Sequence, residues 1–320
     1  MIEIWPASVA PSRWRRAVLA LFCLSPLIAI AQEAAPNPIV NGAPTSVPVD
    51  WPVWAARMEK AQQLLNYDAT LVIDHGRDWE LVEITQRIGT TGAEQQVVAL
   101  NGESRRYVHT AQGISLLGPE GDTRLGQAPT TPGSIEAKRI ADAYNVTLGA
   151  RDRVAGRTAI RLNIAPVSND RFGMQLWLDA DTGLPLRSER LAADGSVLER
   201  RMVTRLNVLG FAGVAQMAPR AAMVAPADLA LPAGFALIGP PIPVPGIAGG
   251  QQWILSDGLA WVSVYRLPIT PGTTSDARGW RRGAMGQVAI NANNAWIYVL
   301  GDLPSPTLER LGEAVLASQR

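Results

Sequence analysis

The stretch GMQLWLDADTGLPLRSERLAADGSVLERR, Gly173 to Arg201, limits the fold more than any other part of the chain. Met174, Leu176 and Leu178 alternate with Gln175, Trp177 and Asp179, a period of two that puts the two sets on opposite faces of a strand. Asp181-Thr182-Gly183 turns the chain, Leu184 to Ala192 runs back, and Asp194-Gly195 turns it again into a third strand from Val197 to Val208. Asp-Gly tolerates the positive φ angles of a type I′ turn, so the stretch predicts two hairpins in series. Each Asp beside these glycines is explained by turn chemistry before any acid or base role.

The same period recurs on both sides. Tyr67, Ala69, Leu71 and Ile73 alternate with polar neighbours, and strand-like runs follow at Trp79 to Ile88, Gln95 to Leu100, Arg105 to His109 and Gly113 to Leu117. Thr158, Ile160, Leu162 and Ile164 face one way and Arg157, Ala159, Arg161 and Asn163 the other, which predicts an antiparallel sheet with one dry side. A helix over about 51 to 65 is expected from Asp50, Pro52 and the stripe Trp54, Met58, Ala61, Leu65. Gly118 to Gly133 reads as a loop, and Ser134 to about Asn145 as a helix with Ile140 and Tyr144 on one face.

Residues 212–230 thicken in alanine and proline and read as a linker. Beyond it, residues 231–320 carry a hairpin over Gln251 to Tyr265, strands near Gly286 to Ile290 and Ala295 to Leu300, and a last helix. Ser305 is expected to cap that helix, with Pro306 in its first turn and Leu308, Leu311 and Val315 on one side. The fold class is therefore α+β, with an antiparallel sheet domain over 51–211 and a smaller α+β domain over 231–320.

At the other end, Arg13, Arg15 and Arg16 precede an apolar run that closes on Ala29-Ile30-Ala31. This is the pattern of a cleaved signal peptide, residues 1–31, and the proline-rich residues 32–50 read as a mobile linker. Cys23, the only cysteine, falls inside the leader, so an exported chain would rely on its core rather than on disulfides. Formal charge is +1 over 320 residues and stays near zero without the leader, which gives no reason to expect nucleic acid as a partner.

Groups that do chemistry are scarce. His75 and His109 are the only histidines, too few for an ordinary zinc site without a thiolate. No Gly-x-Ser-x-Gly elbow is present, and Gly246-Ile247-Ala248-Gly249-Gly250 lacks the lysine of a phosphate loop. No catalytic residue, metal or cofactor is expected. Arg278, Trp280, Arg281 and Arg282 form a basic, aromatic-containing loop whose guanidinium forks would suit an acidic peptide or a lipid phosphate.

Five segments together resemble the RseB/MucB family of periplasmic negative regulators of the sigma-E (AlgU-type) envelope stress response. They are Leu64-Leu65-Asn66-Tyr67; Asn101-Gly102-Glu103-Ser104-Arg105-Arg106; the double hairpin; Leu255-Ser256-Asp257-Gly258-Leu259; and Gly301-Asp302-Leu303-Pro304-Ser305-Pro306-Thr307. The resemblance runs from about residue 51 to 316 in the same order. It implies a large N-terminal domain similar to the LolA/LolB lipoprotein carriers, an antiparallel half-barrel closed by helices around an apolar cavity, joined to a small C-terminal domain. It also implies periplasmic location and binding to the periplasmic part of a membrane-spanning anti-sigma factor, which is shielded from the first protease of its cascade. Lipid or lipopolysaccharide-like ligands in the large domain would release it.

On this reading the partner-contact candidates are exposed faces of the small domain, Ser256, Asp257 and Gly258 with Arg278, Trp280, Arg281 and Arg282. The lipid-cavity candidates are Met174, Leu176, Trp177 and Leu178, with the face that meets the cavity left open. Self-association is also left open. A lipid or lipoprotein carrier is the alternative function.

Overall fold

A computed structural model of the chain describes residues 47–48, 51–110, 113–117, 123–126, 140, 142–213, 229–244, 246–269, 279–292 and 294–318. The expected leader, most of both linkers and Arg278 lie outside the described residues. So does Asp50, the expected cap of the first helix.

The large sheet is antiparallel and 12-stranded. In chain order its strands are β1 (Val47–Pro48), β2 (Leu65–Asp74), β3 (Trp79–Gly89), β4 (Gly92–Ala99), β5 (Arg106–Thr110), β6 (Gly113–Leu117), β7 (Thr123–Gly126), β8 (Tyr144–Val154), β9 (Arg157–Pro166), β10 (Gly173–Asp179), β11 (Pro185–Leu191) and β12 (Val197–Phe211). Helix α1 (Trp51–Leu64) runs directly into β2. The spatial order is β1-β8-β9-β10-β11-β12-β2-β3-β4-β5-β6-β7, an open sheet in which β12 returns to pair with β2.

Val47–Pro48, expected to be linker, pairs with Leu148 and Thr147 of β8, and Thr123–Gly126, expected to be loop, is an edge strand. Residues 140 and 142–143 are helical, but Tyr144 already begins β8.

The double hairpin forms as expected, with one change. Ala155 is the only non-glycine with positive φ among the described residues, so Asp194 does not adopt the type I′ conformation. Only Gly195 is left-handed there, and the pairing slips by one residue between Arg190 and Leu191. Asp194 instead accepts the Ser196 N–H at 2.9 Å and its hydroxyl at 2.6 Å, ordinary local turn bonds. The turn with two left-handed residues is Ala155-Gly156, between β8 and β9.

Helix α1 buries Trp51, Ala55, Met58 and Ala61 rather than a stripe through Trp54. Trp54 stays half-buried with the Arg57 guanidinium 5.0 Å from its ring. The same arginine donates to Ala180 O at 2.6 Å, tying α1 to the β10–β11 turn. Trp51, Ala55 and Met58 pack with Ile140 and Tyr144 on Leu162, Ile164, Met174, Leu176 and Leu178. In β9 the expected dry face holds at Leu162 and Ile164 but not at Thr158, which is exposed, while Ala159 is buried on the other side.

The second sheet is 7-stranded and antiparallel, built from β13 (Ala236–Leu237), β14 (Ile242–Pro243), β15 (Gln251–Ser256), β16 (Trp261–Pro268), β17 (Trp280–Arg282), β18 (Met285–Asn291) and β19 (Ala295–Gly301). Helix α2 (Ser305–Ala317) follows. Ser305 is its first residue and not its cap, a place taken by Pro304, while Leu308, Leu311 and Val315 are buried as expected. One face of this sheet packs Trp253, Leu255, Val262, Val264, Ile297 and Val299 under α2. The other face is also dry: Tyr265, Leu267, Tyr298 and Leu300 share one apolar cluster with Tyr67, Leu71 and Val203 of the large sheet. Fully burying such side chains contributes about 1.5–3 kcal/mol each. No helix among the described residues is long and apolar enough to cross a membrane.

Candidate functional site: the inner face and the junction of the two sheets

Strand register fixes which side chains share the inner face. Leu162, Leu176 and Ser188 are neighbours across β9, β10 and β11, and Ser188 stands opposite Arg201 of β12. The face continues from Val203 through Leu71 and Val82, and through Ile84, Val97 and Tyr107. It is apolar on β8–β10, polar along Ser188, Arg190, Glu199 and Arg201, and apolar again on β2–β5. Two cavities lie on it, one on each side of the polar band, and Arg201 lines both.

The smaller cavity, about 70 Å³, is lined by Trp51, Met58, Met174, Leu176, Arg190 and Trp261 among others. The larger, about 240 Å³, is lined by Leu71, Ile73, Val82, Ile84, Val97 and Tyr107, with Trp79, Arg105, Arg201 and Arg282 also on its wall. Of the four lipid-cavity candidates, Met174 and Leu176 therefore reach a cavity, a small one, and Leu178 is sealed in the core. Trp177 lies on the opposite face, where its indole N–H donates to Asp152 Oδ2 at 3.1 Å and Arg187 covers its ring at 4.3 Å. The residues of the larger cavity were readable as a strand face; what the sequence did not carry was which strands would be left uncovered by α1.

The expectation that Ser256-Asp257-Gly258 is exposed is corrected: all three are buried between the two sheets. Asp257 accepts the N–H groups of Leu259 at 3.0 Å and Ala260 at 2.8 Å through Oδ1, as its turn position suggests. Its Oδ2 accepts the Tyr144 hydroxyl of β8 at 2.8 Å and Arg171 Nη1, from the β9–β10 connection, at 2.6 Å. Burial and the Asp257 charge push the Tyr144 hydroxyl well above its ordinary value, so it donates at any physiological pH.

Of the candidates Arg278, Trp280, Arg281 and Arg282, the three described residues are likewise not in a free loop. Trp280, Arg281 and Arg282 form strand β17, in which Trp280 and Arg282 are half-buried and Arg281 is exposed. Arg281 donates to Ala284 O and Leu303 O, both at 2.9 Å, and lies 5.2 Å from the Phe172 ring of the large sheet. Arg282 reaches Asp78 Oδ2 at 2.8 Å, in the turn between β2 and β3, and Glu80 Oε1 at 2.7 Å, on β3. The Arg282 hydrogen bond holds the Asp78 carboxyl below its ordinary range. A further ion pair, Arg190 with Asp302, crosses the same junction.

Beside these, His75 Nδ1 lies 3.0 Å from Glu199 Oε2, and Arg201 Nε 2.6 Å from Glu199 Oε1. Burial by itself would raise the Glu199 carboxyl, but Arg201 and His75 outweigh it and bring it down to about 2. A carboxylate whose ordinary value is 4.5 and whose folded value is about 2 stabilises the fold above pH 4.5 and loses that contribution as pH falls towards 2. We expect stability from urea titrations to fall over this window by about 3 kcal/mol from this group, and by visibly less in Glu199→Gln. Equal pH slopes for the two proteins would rule the pairing out.

His109 is half-buried on β5, and desolvation of its ring brings it down to about 4, so it is neutral at pH 7. No group of His, Cys, Asp and Glu among the described residues could hold a metal ion.

A sheet with a lined inner cavity, clamped by a second sheet through ion pairs of which Arg171–Asp257 is fully buried, defines a two-part architecture. The sequence matches the MucB/RseB N-terminal domain over residues 50–226 and the MucB/RseB C-terminal domain over residues 229–316, and the chain belongs to the MucB/RseB family. It is 27% identical over 298 residues to the sigma factor AlgU regulatory protein MucB of Pseudomonas aeruginosa, covering 85% of this chain and 92% of that one. It is 24% identical over 284 residues to the sigma-E factor regulatory protein RseB of Escherichia coli K12, covering 81% and 88%. Among solved structures it is similar to the Pseudomonas aeruginosa MucA/MucB complex at 26% identity and TM-score 0.62, over 82% of this chain and 97% of the other. It is also similar to MucB alone, at 26% identity and TM-score 0.64, over 83% and 97%. By their names these relatives are regulators.

Proposed function

We propose that this protein is a periplasmic negative regulator that binds the periplasmic part of a membrane-spanning anti-sigma factor and shields it from the first protease of its cascade. The two sheets then act as two domains, 51–211 and 231–320, whose mutual arrangement sets the affinity for the partner. A lipid entering the larger cavity shifts that arrangement and changes the affinity, because a ligand acts only through its differential affinity for the two states. Similarity to MucB along most of the chain, and the solved complex of MucB with MucA, support the partner.

The observation that carries the reading is Arg282. It belongs to the second sheet, yet it lines the larger cavity of the first and is clamped there by Asp78 and Glu80. Cavity contents and domain arrangement therefore share a wall. The buried Ser256-Asp257-Gly258 turn becomes available to a partner only when the junction opens.

A protease-protection assay tests this. The purified protein, added to the periplasmic segment of the anti-sigma factor with the first protease, is expected to slow cleavage severalfold. Unchanged cleavage at saturating protein sinks the regulator reading. A lipid found with the purified protein by native mass spectrometry, together with unchanged cleavage, would favour the carrier alternative.

A further inference from the structure

We infer that the turn carrying His75 is a proton-sensitive catch on the β17–β18 hairpin, one that releases the hairpin when the ring takes up a proton. The inference concerns the junction itself and stands whatever partner the protein binds.

His75 lies in the turn between β2 and β3, with its side chain 6% exposed. Glu199 Oε2 is 3.0 Å from Nδ1, and because Arg201 and His75 keep that carboxyl ionised, Nδ1 must carry the hydrogen of the neutral ring. Nε2 is then a bare acceptor, buried and with no hydrogen-bond partner. A buried polar atom left in this way costs stability. Glu80 Oε1 lies 3.9 Å from it, and the same oxygen binds Arg282 Nη1 at 2.7 Å. Nε2 and Arg282 thus converge on one carboxylate oxygen, one from each sheet.

Protonation puts a hydrogen on Nε2 and a positive charge on the ring, and both changes work against the hairpin. The new donor competes with Arg282 for Glu80 Oε1. The new charge lies under the β17–β18 turn, where Gly283 packs so closely that an added Cβ would be 3.2 Å from Nδ1. Three carboxylates, Glu199, Glu80 and Asp78, and two guanidiniums, Arg201 and Arg282, surround the ring. Withdrawing the hairpin takes away one guanidinium and admits water, while all three carboxylates stay with the large sheet. A charged imidazole is therefore better accommodated with the hairpin away than with it seated. By linkage, falling pH favours the withdrawn hairpin. Arg105, within electrostatic reach of Glu80, is paired with Glu103, and Asp74 accepts the Gly76 N–H; neither belongs to the hairpin, so neither changes this sign.

An imidazole ordinarily changes charge between about pH 5 and 8. In that window the other histidine, His109, stays neutral, because desolvation brings it down to about 4. Asp78, held low by Arg282, and Glu199, at about 2, stay charged. Asp302, paired with Arg190, is the other junction carboxyl to separate from His75, since burial raises it above its ordinary value.

Hydrogen exchange of the purified protein, followed by mass spectrometry and corrected for the pH dependence of the chemical step, tests the catch. Protection of residues 280–291 is expected to fall about fivefold from about pH 8 to about pH 5, the scale of one charge–charge interaction in a partly wet junction, while β9 and β10 keep theirs. His75→Gln retains a donor towards Glu199 and cannot take a charge, so its hairpin should stay protected across the range. Arg282→Gln removes the competing cation; its hairpin should be poorly protected at both ends of the range, with most of the pH step gone. Parental protection that does not change with pH overturns the inference. A fall that survives His75→Gln assigns the proton to Asp302 and overturns it too. Should His75→Gln lose protection in β9 and β10 as well, and so fail to fold, Arg282→Gln decides: a full parental pH step in that variant rejects the catch.

Discussion

Asp257→Ala is expected to lower the stability of the folded protein by about 3–5 kcal/mol, the cost of breaking a buried ion pair from one side. The Arg171 side chain is 3% exposed, and with Asp257 gone its charge has only the Ala233 carbonyl, the partly exposed Asp170 and the faces of Tyr144 and Phe235 for compensation. The substitution also strips two turn N–H groups of their acceptor and the Tyr144 hydroxyl of its own. Asp257→Asn keeps the turn acceptor and should cost less. Urea unfolding of Asp257→Ala, Arg171→Ala and the double variant gives the coupling directly: the double is expected to cost much less than the sum of the singles. Additive costs, or a single-variant loss below about 1 kcal/mol, would mean that the turn does not sit in this socket.

Gly283→Val should part the junction at its opposite end. Gly283 has φ +59° in the tight turn between β17 and β18, a region that costs a β-branched residue about 1–2 kcal/mol or more. A Cβ placed there would lie 2.9 Å from Glu199 Oε2 and 3.2 Å from His75 Nδ1, both of which are fixed to each other. The hairpin must therefore withdraw from the large sheet and take Arg282 with it. The expected result is a protein that still folds as two bodies but is cleaved by trypsin within residues 212–230 many times faster than the parent. A variant with parental cleavage and parental urea midpoint would show that this contact holds nothing in place.

The junction is also where reading from the sequence stopped. Within each sheet, local chemistry sufficed: the alternation in Tyr67 to Ile73 and the two turns of the double hairpin are visible within a few residues of one another. Thr123–Gly126 was missed because its neighbours Pro119, Pro129 and Pro132 outvote a four-residue strand. The buried face of α1 was legible at Met58, Ala61 and Leu65 but not in its first turns, where Trp51 and Ala55 are buried and Trp54, beside the Arg57 guanidinium, is only half-buried. Arg281 and Arg282 looked like a solvated loop because their partners are far away along the chain; Asp78 is 204 residues from Arg282. Asp257 shows the limit within one side chain. Its Oδ1 makes the bonds that a turn predicts, and its Oδ2 makes bonds to residues 113 and 86 positions away.

The pairing of β12 with β2 carries a kinetic consequence. Leu65 stands opposite Phe211 and Leu71 opposite Val203, and these two strands form the most extensive strand contact in the molecule. A nascent chain that has released only its first half has β2 with one edge unmated, and no local hairpin can fill it. Closing so long a loop makes contact order high and folding slow, in the millisecond-to-second range of sheet proteins. Until Val197–Phe211 has arrived, Leu65, Tyr67, Ala69 and Leu71 present an apolar, unpaired template, so the interval between the synthesis of β2 and of β12 is when this chain most needs a chaperone.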